Sequence, residues 1–322
     1  MSRVLVTGAN GFVGQALCPL LEKAGWEVRR ATRSATAVAN NPAADSIAVG
    51  EIGAQTDWRT ALDGISAVVH LAARVHLMQD DACDPLAQYR AVNRDGTENL
   101  AHQAARAGVR RLVYLSSIKV NGERTTGQPF RAEDAPHPQD PYARSKWEAE
   151  QALQRVAAAT GLESVILRPP LVYGPGVKAN FLRLMRLAER GIPLPLGAVD
   201  NRRSLLYLGN LADAVRVCLS HPAAAGKTFQ LSDGAPLSTP ALIRALAAAL
   251  GKPARLLPVP PPLLRLAGRL AGKSAKIARL LDSLEIDGTP IERELDWQPP
   301  FSLEEGLAAT AAWFRETRRN PS

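Results

Sequence analysis

At 322 residues the chain can bury a full core and has room for one large domain or two. Its 46% apolar and 22% charged side chains make a globular composition and exclude a disordered one. Lys and Arg exceed Asp and Glu by 39 − 31 = 8, which suits an anionic ligand, yet no basic stripe interleaved with aromatics appears, so nucleic acid is not expected as a partner.

Cys18, Cys83 and Cys218 are odd in number and far apart, with no CxxC, which fits unpaired thiols in a reducing cytoplasm. The histidines offer no metal-ligand spacing, so no metal is expected. The first apolar run is too short for a secretory signal, and no uncharged stretch of roughly 18 residues exists to span a membrane.

Arg3-Val4-Leu5-Val6-Thr7 reads as a strand that breaks at Gly8, and 12–22 reads as a helix. The glycines of this turn fall at 8, 11 and 14. Gly8 permits a tight turn, Gly11 lets the backbone approach a pyrophosphate, and Gly14 lets the helix pack close to the strand. Phosphate oxygens then face free N–H groups at the positive end of the helix dipole. An ordinary strand–turn–helix that needs small residues is the plainer alternative.

A second strand over 27–32 ends in Thr32-Arg33-Ser34. A site for NAD would carry Asp or Glu there to accept from the ribose 2′-hydroxyl. Arg33 can instead pair with a 2′-phosphate, with Ser34 or Thr32 adding a hydrogen bond, so NADP(H) is the expected cofactor and NAD(H) the alternative. A solvated arginine at a strand end is the plain reading of Arg33. After a short strand over 46–49, Glu51 and Ile52 fall at the adenine edge. The apolar run 67–73 has the pattern of a strand buried on both faces, and it ends in Leu71-Ala72-Ala73, where small residues let a cofactor backbone lie close. Asn93 sits in a long helical stretch, and a strand over 111–117 runs into Ser116-Ser117. Apolar strands alternating with helices predict an α/β fold with a right-handed, doubly wound parallel sheet.

The proline-rich stretch 122–141 is expected to be a loop over the active site, followed by a helix over 142–158 and a strand over 164–167 stopped by Pro169-Pro170. This divides the chain into a dinucleotide-binding domain, 1–170, and a smaller α/β substrate domain, 171–322, with some segments returning to the sheet. In the second part, 205–217 reads as strand and helix, 228–232 as a strand and 241–250 as a helix. The basic, amphipathic stretch 263–281 has the charge to rest on an anionic membrane. Gly268 and Gly272 weaken that reading, so packing within the domain is expected and peripheral membrane contact is not.

Tyr142 and Lys146 lie four residues apart, on one helix face. A nearby ammonium favours the phenolate and brings a tyrosine within reach of acid–base work near neutral pH. The lysine can also hold the nicotinamide ribose. The pair alone is common; what gives it weight is Ser117 at the C-terminal end of a strand, where ligands bind in doubly wound sheets.

Together these residues resemble the extended short-chain dehydrogenase/reductases, in the NAD-dependent epimerase/dehydratase group. The resemblance rests on Thr7 to Gly14, His70-Leu71-Ala72-Ala73, Asn93 with Gly96-Thr97, Ser116-Ser117, Tyr142 with Lys146, Arg168 with Val172-Tyr173-Gly174-Pro175, and Leu295-Asp296-Trp297 with Pro299. It implies Tyr142 as general acid/base, Lys146 as its pKa modulator and ribose anchor, and Ser117 as the hydroxyl polarising the substrate oxygen. It further implies cofactor contacts at Gly8, Asn10, Gly11, Phe12, Val13 and Asn93. Asn180, Phe181 and Arg203 are implied at a nucleotide-sugar diphosphate, against plainer readings of Asn180 as a helix cap and Arg203 as a surface arginine. Arg74, His76 and Lys119 fall beside the expected pocket walls, as substrate contacts or as solvated charges.

The chain also departs from the family pattern. Val120-Asn121-Gly122 stands where Val-Tyr-Gly is common, and Leu171 where hexose 4-epimerases often carry Asn. These stretches look like a branch that includes 4-keto reductases making UDP-N-acetyl-quinovosamine-type sugars for surface polysaccharides. The expected function is therefore NADP(H)-dependent reduction of a UDP-4-keto-6-deoxy-hexosamine. The alternative is a 4-epimerase acting on UDP-glucose or UDP-N-acetylglucosamine with bound NAD. A nucleotide sensor without catalysis is disfavoured by the intact Ser117, Tyr142 and Lys146. Oligomeric state stays open, although many relatives are homodimers.

Overall fold

Val4, Leu5 and Val6 are fully buried because β1 (Arg3–Thr7) runs through the centre of a large parallel sheet. The computed structural model describes residues 2–34, 45–75 and 84–319, so His76 and Cys83 lie outside the described residues. The other strands are β2 (Glu27–Thr32), β3 (Ser46–Ala48), β4 (Ala67–His70), β5 (Arg111–Leu115), β6 (Glu163–Arg168), β7 (Leu171–Tyr173), β8 (Leu205–Tyr207) and β9 (Thr228–Gln230). Seven of them form one sheet in the order β3-β2-β1-β4-β5-β6-β9, and β7 pairs with β8 in a separate ribbon. Strand order reverses between β1 and β4, which opens a crevice beyond their C-terminal ends.

Helices cover both faces. On one, Leu17 and Leu21 of α1 (Phe12–Lys23) share a core with Val6 and Val113. On the other are α2 (Arg59–Leu62), α3 (Pro85–Tyr89), α4 (Gly96–Arg106) and α5 (Pro141–Thr160), where Leu100, Ala104, Leu153 and Val156 pack on Leu5, Val68 and Leu112. The later helices are α6 (Ala179–Arg190), α7 (Leu208–Ser220), α8 (Thr239–Ala249), α9 (Pro261–Leu270), α10 (Ser274–Leu281), α11 (Thr289–Leu295) and α12 (Leu303–Arg319). Leu211 and Val215 of α7, Phe229 of β9 and Leu295 with Trp297 belong to the same core as α1. The rest of the C-terminal part builds its own core around Tyr173, Phe181, Met185, Leu246 and Phe314.

Three local features differ from the sequence reading. The helical stretch around Asn93 is interrupted by a π-turn over Arg90–Asp95, where the Thr97 hydroxyl donates to the Asn93 carbonyl at 2.5 Å. Stretch 263–281 is two helices, broken where Gly272 takes φ +63°. Helices α11 and α12 were not anticipated, and α6 only through the plain reading of Asn180 as a helix cap.

Candidate active site

The first turn is built on steric necessity. Gly8 has φ +68°, and a Cβ there would lie 2.9 Å from the Ala72 nitrogen, so the β1 and β4 loops touch through it. A Cβ at Gly14 would sit 2.5 Å from the carbonyl oxygens of Gly8 and Ala9, so α1 begins pressed against the turn. Gly11 donates its N–H to the Gly8 oxygen at 2.9 Å and stands at the helix N-cap with no side chain capping the first turn. No acidic residue occupies that turn, which leaves helix N–H groups and the dipole end for an anion. The cradle fits a dinucleotide's diphosphate. Asn10 and Gly11 are exposed on its rim, while half-buried Phe12 and Val13 start the helix.

The β4 wall is clamped from behind. His70 is buried between two hydroxyls, with Nδ1 2.7 Å from Thr7 Oγ1 and Nε2 3.1 Å from Thr97 Oγ1. Burial, and secondarily the Lys146 charge, push its pKa down to about 3. Asn93 is also buried: its oxygen accepts from the Arg74 N–H at 2.8 Å, and its nitrogen donates to the Arg74 carbonyl and the Ser145 hydroxyl. The amide thereby holds the residues after Leu71-Ala72-Ala73 against α5. Arg74 lies over the Tyr89 ring, 5.5 Å from its centroid.

Helix α5 carries the acid–base pair because its start is well specified. Asp140 is the N-cap, accepting from the Ala143 N–H at 2.6 Å, and Pro141 fills the first position; Gly161 closes the far end at φ +77°. Tyr142 is thus in the first turn and Lys146 one turn later. Ser117 follows β5, its hydroxyl accepting from the Lys119 N–H at 3.3 Å. Ser117 is hydrogen-bonded to the Tyr142 phenol, which brings two of the three expected residues together, while the Lys146 ammonium turns to the Leu115 carbonyl.

The electrostatics correct one expectation. Burial, reinforced by Asp140, pushes Tyr142 up to about 12, against the pull of the Ser117 hydrogen bond. Lys146 does not supply the offset, because its Nζ donates to the Leu115 carbonyl at 2.6 Å and lies 4.1 Å from the Tyr114 ring centroid. Burial brings Lys146 itself down to about 7, while Glu150 resists.

Behind the trio lies a buried network that the sequence reading missed. Glu150 accepts from Arg168 Nε at 3.0 Å and Nη2 at 2.6 Å, and also from the Ser116 hydroxyl. Arg168 Nη1 reaches Asn121 and the Ala132 carbonyl, both at 3.1 Å, tying the proline-rich loop to the sheet. Two signals existed: Glu150 is one turn past Lys146, and Asp140-Pro141 is a helix-start pair.

At the adenine end, Thr56 accepts from the Gly53 N–H and donates to the Glu51 carbonyl, both at 2.8 Å, shaping the turn that carries Glu51 and Ile52. Thr32 donates to the Ser34 carbonyl at 3.2 Å. Arg33 is exposed and forms no ion pair among the described residues, whereas Arg29 and Arg30 are held by Asp45 and Glu22.

The implied substrate residues fare unevenly. Lys119 is half-buried and paired, its Nζ 2.8 Å from Glu123 and 2.5 Å from Asp140, rather than a freely solvated charge. Phe181 is core: its ring stacks on Tyr173 with centroids 5.2 Å apart. Asn180 is exposed in the first turn of α6, whose N-cap is Lys178, so it is not the cap. Arg203 is half-buried and donates to the carbonyls of Arg279 at 3.1 Å and Asp282 at 3.0 Å, so it is not a free surface arginine. Burial lowers its pKa. His76 lies outside the described residues.

The profile of the NAD dependent epimerase/dehydratase family matches residues 4–232. A Vibrio cholerae protein named UDP-glucose 4-epimerase is 46% identical over 314 residues, covering 97% of this chain and 95% of that one. Among solved structures, UDP-N-acetylglucosamine 4-epimerase from Bacillus cereus superposes with TM-score 0.79 at 21% identity, over 98% of this chain and 100% of that one, a likeness of fold alone. MoeE5 in complex with UDP-glucose and NAD superposes with TM-score 0.75 at 26% identity over 100% of both chains.

Proposed function

The chain belongs to the NAD-dependent epimerase/dehydratase family, and on that premise we propose that it is a UDP-hexose 4-epimerase, inverting C4 of UDP-glucose or a close relative. The observation that carries this reading is the 46% identity to the Vibrio cholerae UDP-glucose 4-epimerase across nearly the full length of both chains. It moves the 4-keto reductase expected from the sequence into second place.

The glycine cradle and the open N-terminus of α1 would hold the dinucleotide's diphosphate, with the Ala72-Ala73 loop beside it. When bound, NAD supplies the hydride acceptor and donor and, in its oxidised form, a positive charge that favours the Tyr142 phenolate. Tyr142 takes the proton from the sugar O4 and returns it to the same oxygen. Ser117 holds that oxygen by a hydrogen bond, and Lys146 contributes charge that is half present near pH 7. Proton transfer by a positioned group is typically worth ~10²–10⁴ in rate.

One observation keeps the reductase as the second reading. The strand end that in an NAD site offers a carboxylate to the ribose 2′-hydroxyl offers exposed Arg33 here, which suits NADP(H). Incubating the protein with NAD and UDP-glucose, then with NADPH and a UDP-4-keto-6-deoxy-hexosamine, separates the two. Interconversion of UDP-glucose and UDP-galactose without net change in absorbance at 340 nm supports the epimerase. Stoichiometric NADPH loss with the ketosugar alone overturns it in favour of the reductase.

A further inference from the structure

The net charge of this chain is concentrated in one segment. Residues 234–281 hold eight Lys and Arg and no Asp or Glu, which equals the surplus of 8 over the whole length. That segment contains α8, α9 and α10, and α9 is apolar on the side turned to water. Leu263, Leu266 and Leu270, spaced i, i+3 and i+7, are 56%, 53% and 82% exposed. Leu257, just before the helix, is exposed as well. The opposite face does the packing: Leu264 joins a core with Leu194, Ile243 and Leu281, and a Cβ at Gly268 would meet Ile277 at 2.7 Å.

Packing therefore explains Leu264 and Gly268 and leaves the leucine stripe unexplained. Arg269, Lys273 and Lys276 flank the stripe, are exposed, and form no ion pair among the described residues; Arg265 is held by Asp282 at 2.7 Å. A leucine stripe bordered by unpaired cations is the pattern of a helix lying in a membrane interface. Its apolar side enters the headgroup–acyl boundary and its cations meet lipid phosphates. A second copy of the chain is a poor occupant, because two faces of the same positive charge repel. Nucleic acid would use the cations and not the leucines. Among the described residues no helix is long and apolar enough to cross a membrane, so any attachment through this segment is one-sided.

The platform is fixed to the body of the protein. Asn201 Nδ2 donates to the carbonyls of Leu280 and Asp282 at 3.2 Å, Thr239 Oγ1 donates to Leu280 at 2.8 Å, and Arg203 grips the same turn. We infer that the outward face of α9, with the first turn of α10, is a docking surface for an anionic lipid bilayer.

The test is co-sedimentation of the full chain with vesicles of phosphatidylcholine alone or with roughly 30% phosphatidylglycerol. The native chain should pellet with the anionic vesicles only. Arg269→Glu/Lys273→Glu/Lys276→Glu should lower the partition coefficient roughly tenfold or more. Leu263→Ser/Leu266→Ser/Leu270→Ser should abolish the fraction that stays bound at ~0.5 M salt, where surface charge is screened. All of these side chains are exposed, and unchanged thermal unfolding of both variants confirms that the fold is kept. The inference is overturned if the native chain ignores anionic vesicles, if either variant binds them as well as the native chain, or if a duplex oligonucleotide binds more tightly than the vesicles do. A native dimer that the leucine variant dissociates would equally assign the stripe to a second copy and overturn it.

Discussion

Glu150 lies one helical turn beyond Lys146 on α5 and places both carboxylate oxygens on Arg168, at 3.0 Å from Nε and 2.6 Å from Nη2. Both partners of this pair are buried, and the carboxylate is the one influence that holds the Lys146 pKa up against burial. The ion pair thus fixes the loop carrying Ser117 and tunes the lysine beside Tyr142.

Glu150→Gln separates these roles. Leaving Arg168 buried without its counter-charge should cost about 3–5 kcal/mol of unfolding free energy in chemical denaturation. Loss of the carboxylate should also move the Lys146 pKa below about 7, because nothing then opposes desolvation. The alkaline limb of UDP-glucose turnover should shift to lower pH. A limb that stays in place would show that Lys146 charge does not govern the reaction.

Tyr142→Phe tests the acid–base assignment directly. The substitution keeps the ring and its edge contact with Tyr89, centroids 6.2 Å apart, and removes the oxygen hydrogen-bonded to Ser117. Turnover should fall by ~10²–10⁴, and unfolding free energy should change by no more than ~1 kcal/mol. Retained turnover would remove the phenol from the reaction.

The sheet was legible in the sequence because its strands are short apolar runs buried on both faces, as at 67–70, and because glycines at 8, 11 and 14 allow only a narrow set of turns. The placement of Ser117 after β5 and of Tyr142 and Lys146 on α5 was legible for a related reason: a strand end and a helix start are marked locally. What pairs across long separations was not. Lys119 reads as a solvated or substrate-facing charge until Asp140, 21 residues on, is seen beside it. Arg203 is explained only by carbonyls 76 and 79 residues away. The Tyr142 pKa was misjudged because spacing places a lysine on the right helix face without saying that its ammonium turns to Leu115.

Gly14→Ala probes the cradle. A methyl group 2.5 Å from two backbone carbonyls cannot be absorbed by a rotamer change, so α1 must move off the turn. Overpacking of this kind costs typically ~1–3 kcal/mol, seen as a lower melting temperature. Dinucleotide affinity, measured by fluorescence titration, should fall with it. A variant with native stability and native affinity would mean that the close approach of helix and strand is not needed to hold the diphosphate.

Acid stability turns on two buried groups with opposite signs. His70, neutral in the fold, has its pKa pushed down to about 3, so the unfolded chain binds the extra proton and stability falls as pH drops from 6.5 towards 3. Asp233 accepts from the Tyr207 N–H and from Asn210, both at 2.7 Å, yet burial pushes its pKa up to about 6. The folded chain then binds the proton first, and stability rises as pH drops from 6 towards 3.8. Between pH 6.5 and 4 the His70 contribution amounts to ~3 kcal/mol and that of Asp233 to ~2 kcal/mol, so most of the first is offset. Asp233→Asn removes only the compensating one. Relative to the native chain, that variant should lose ~2 kcal/mol of unfolding free energy between pH 7 and 4 in urea titrations. Parallel pH profiles for the two chains would show that Asp233 is already ionised in the fold above pH 4 and offsets nothing.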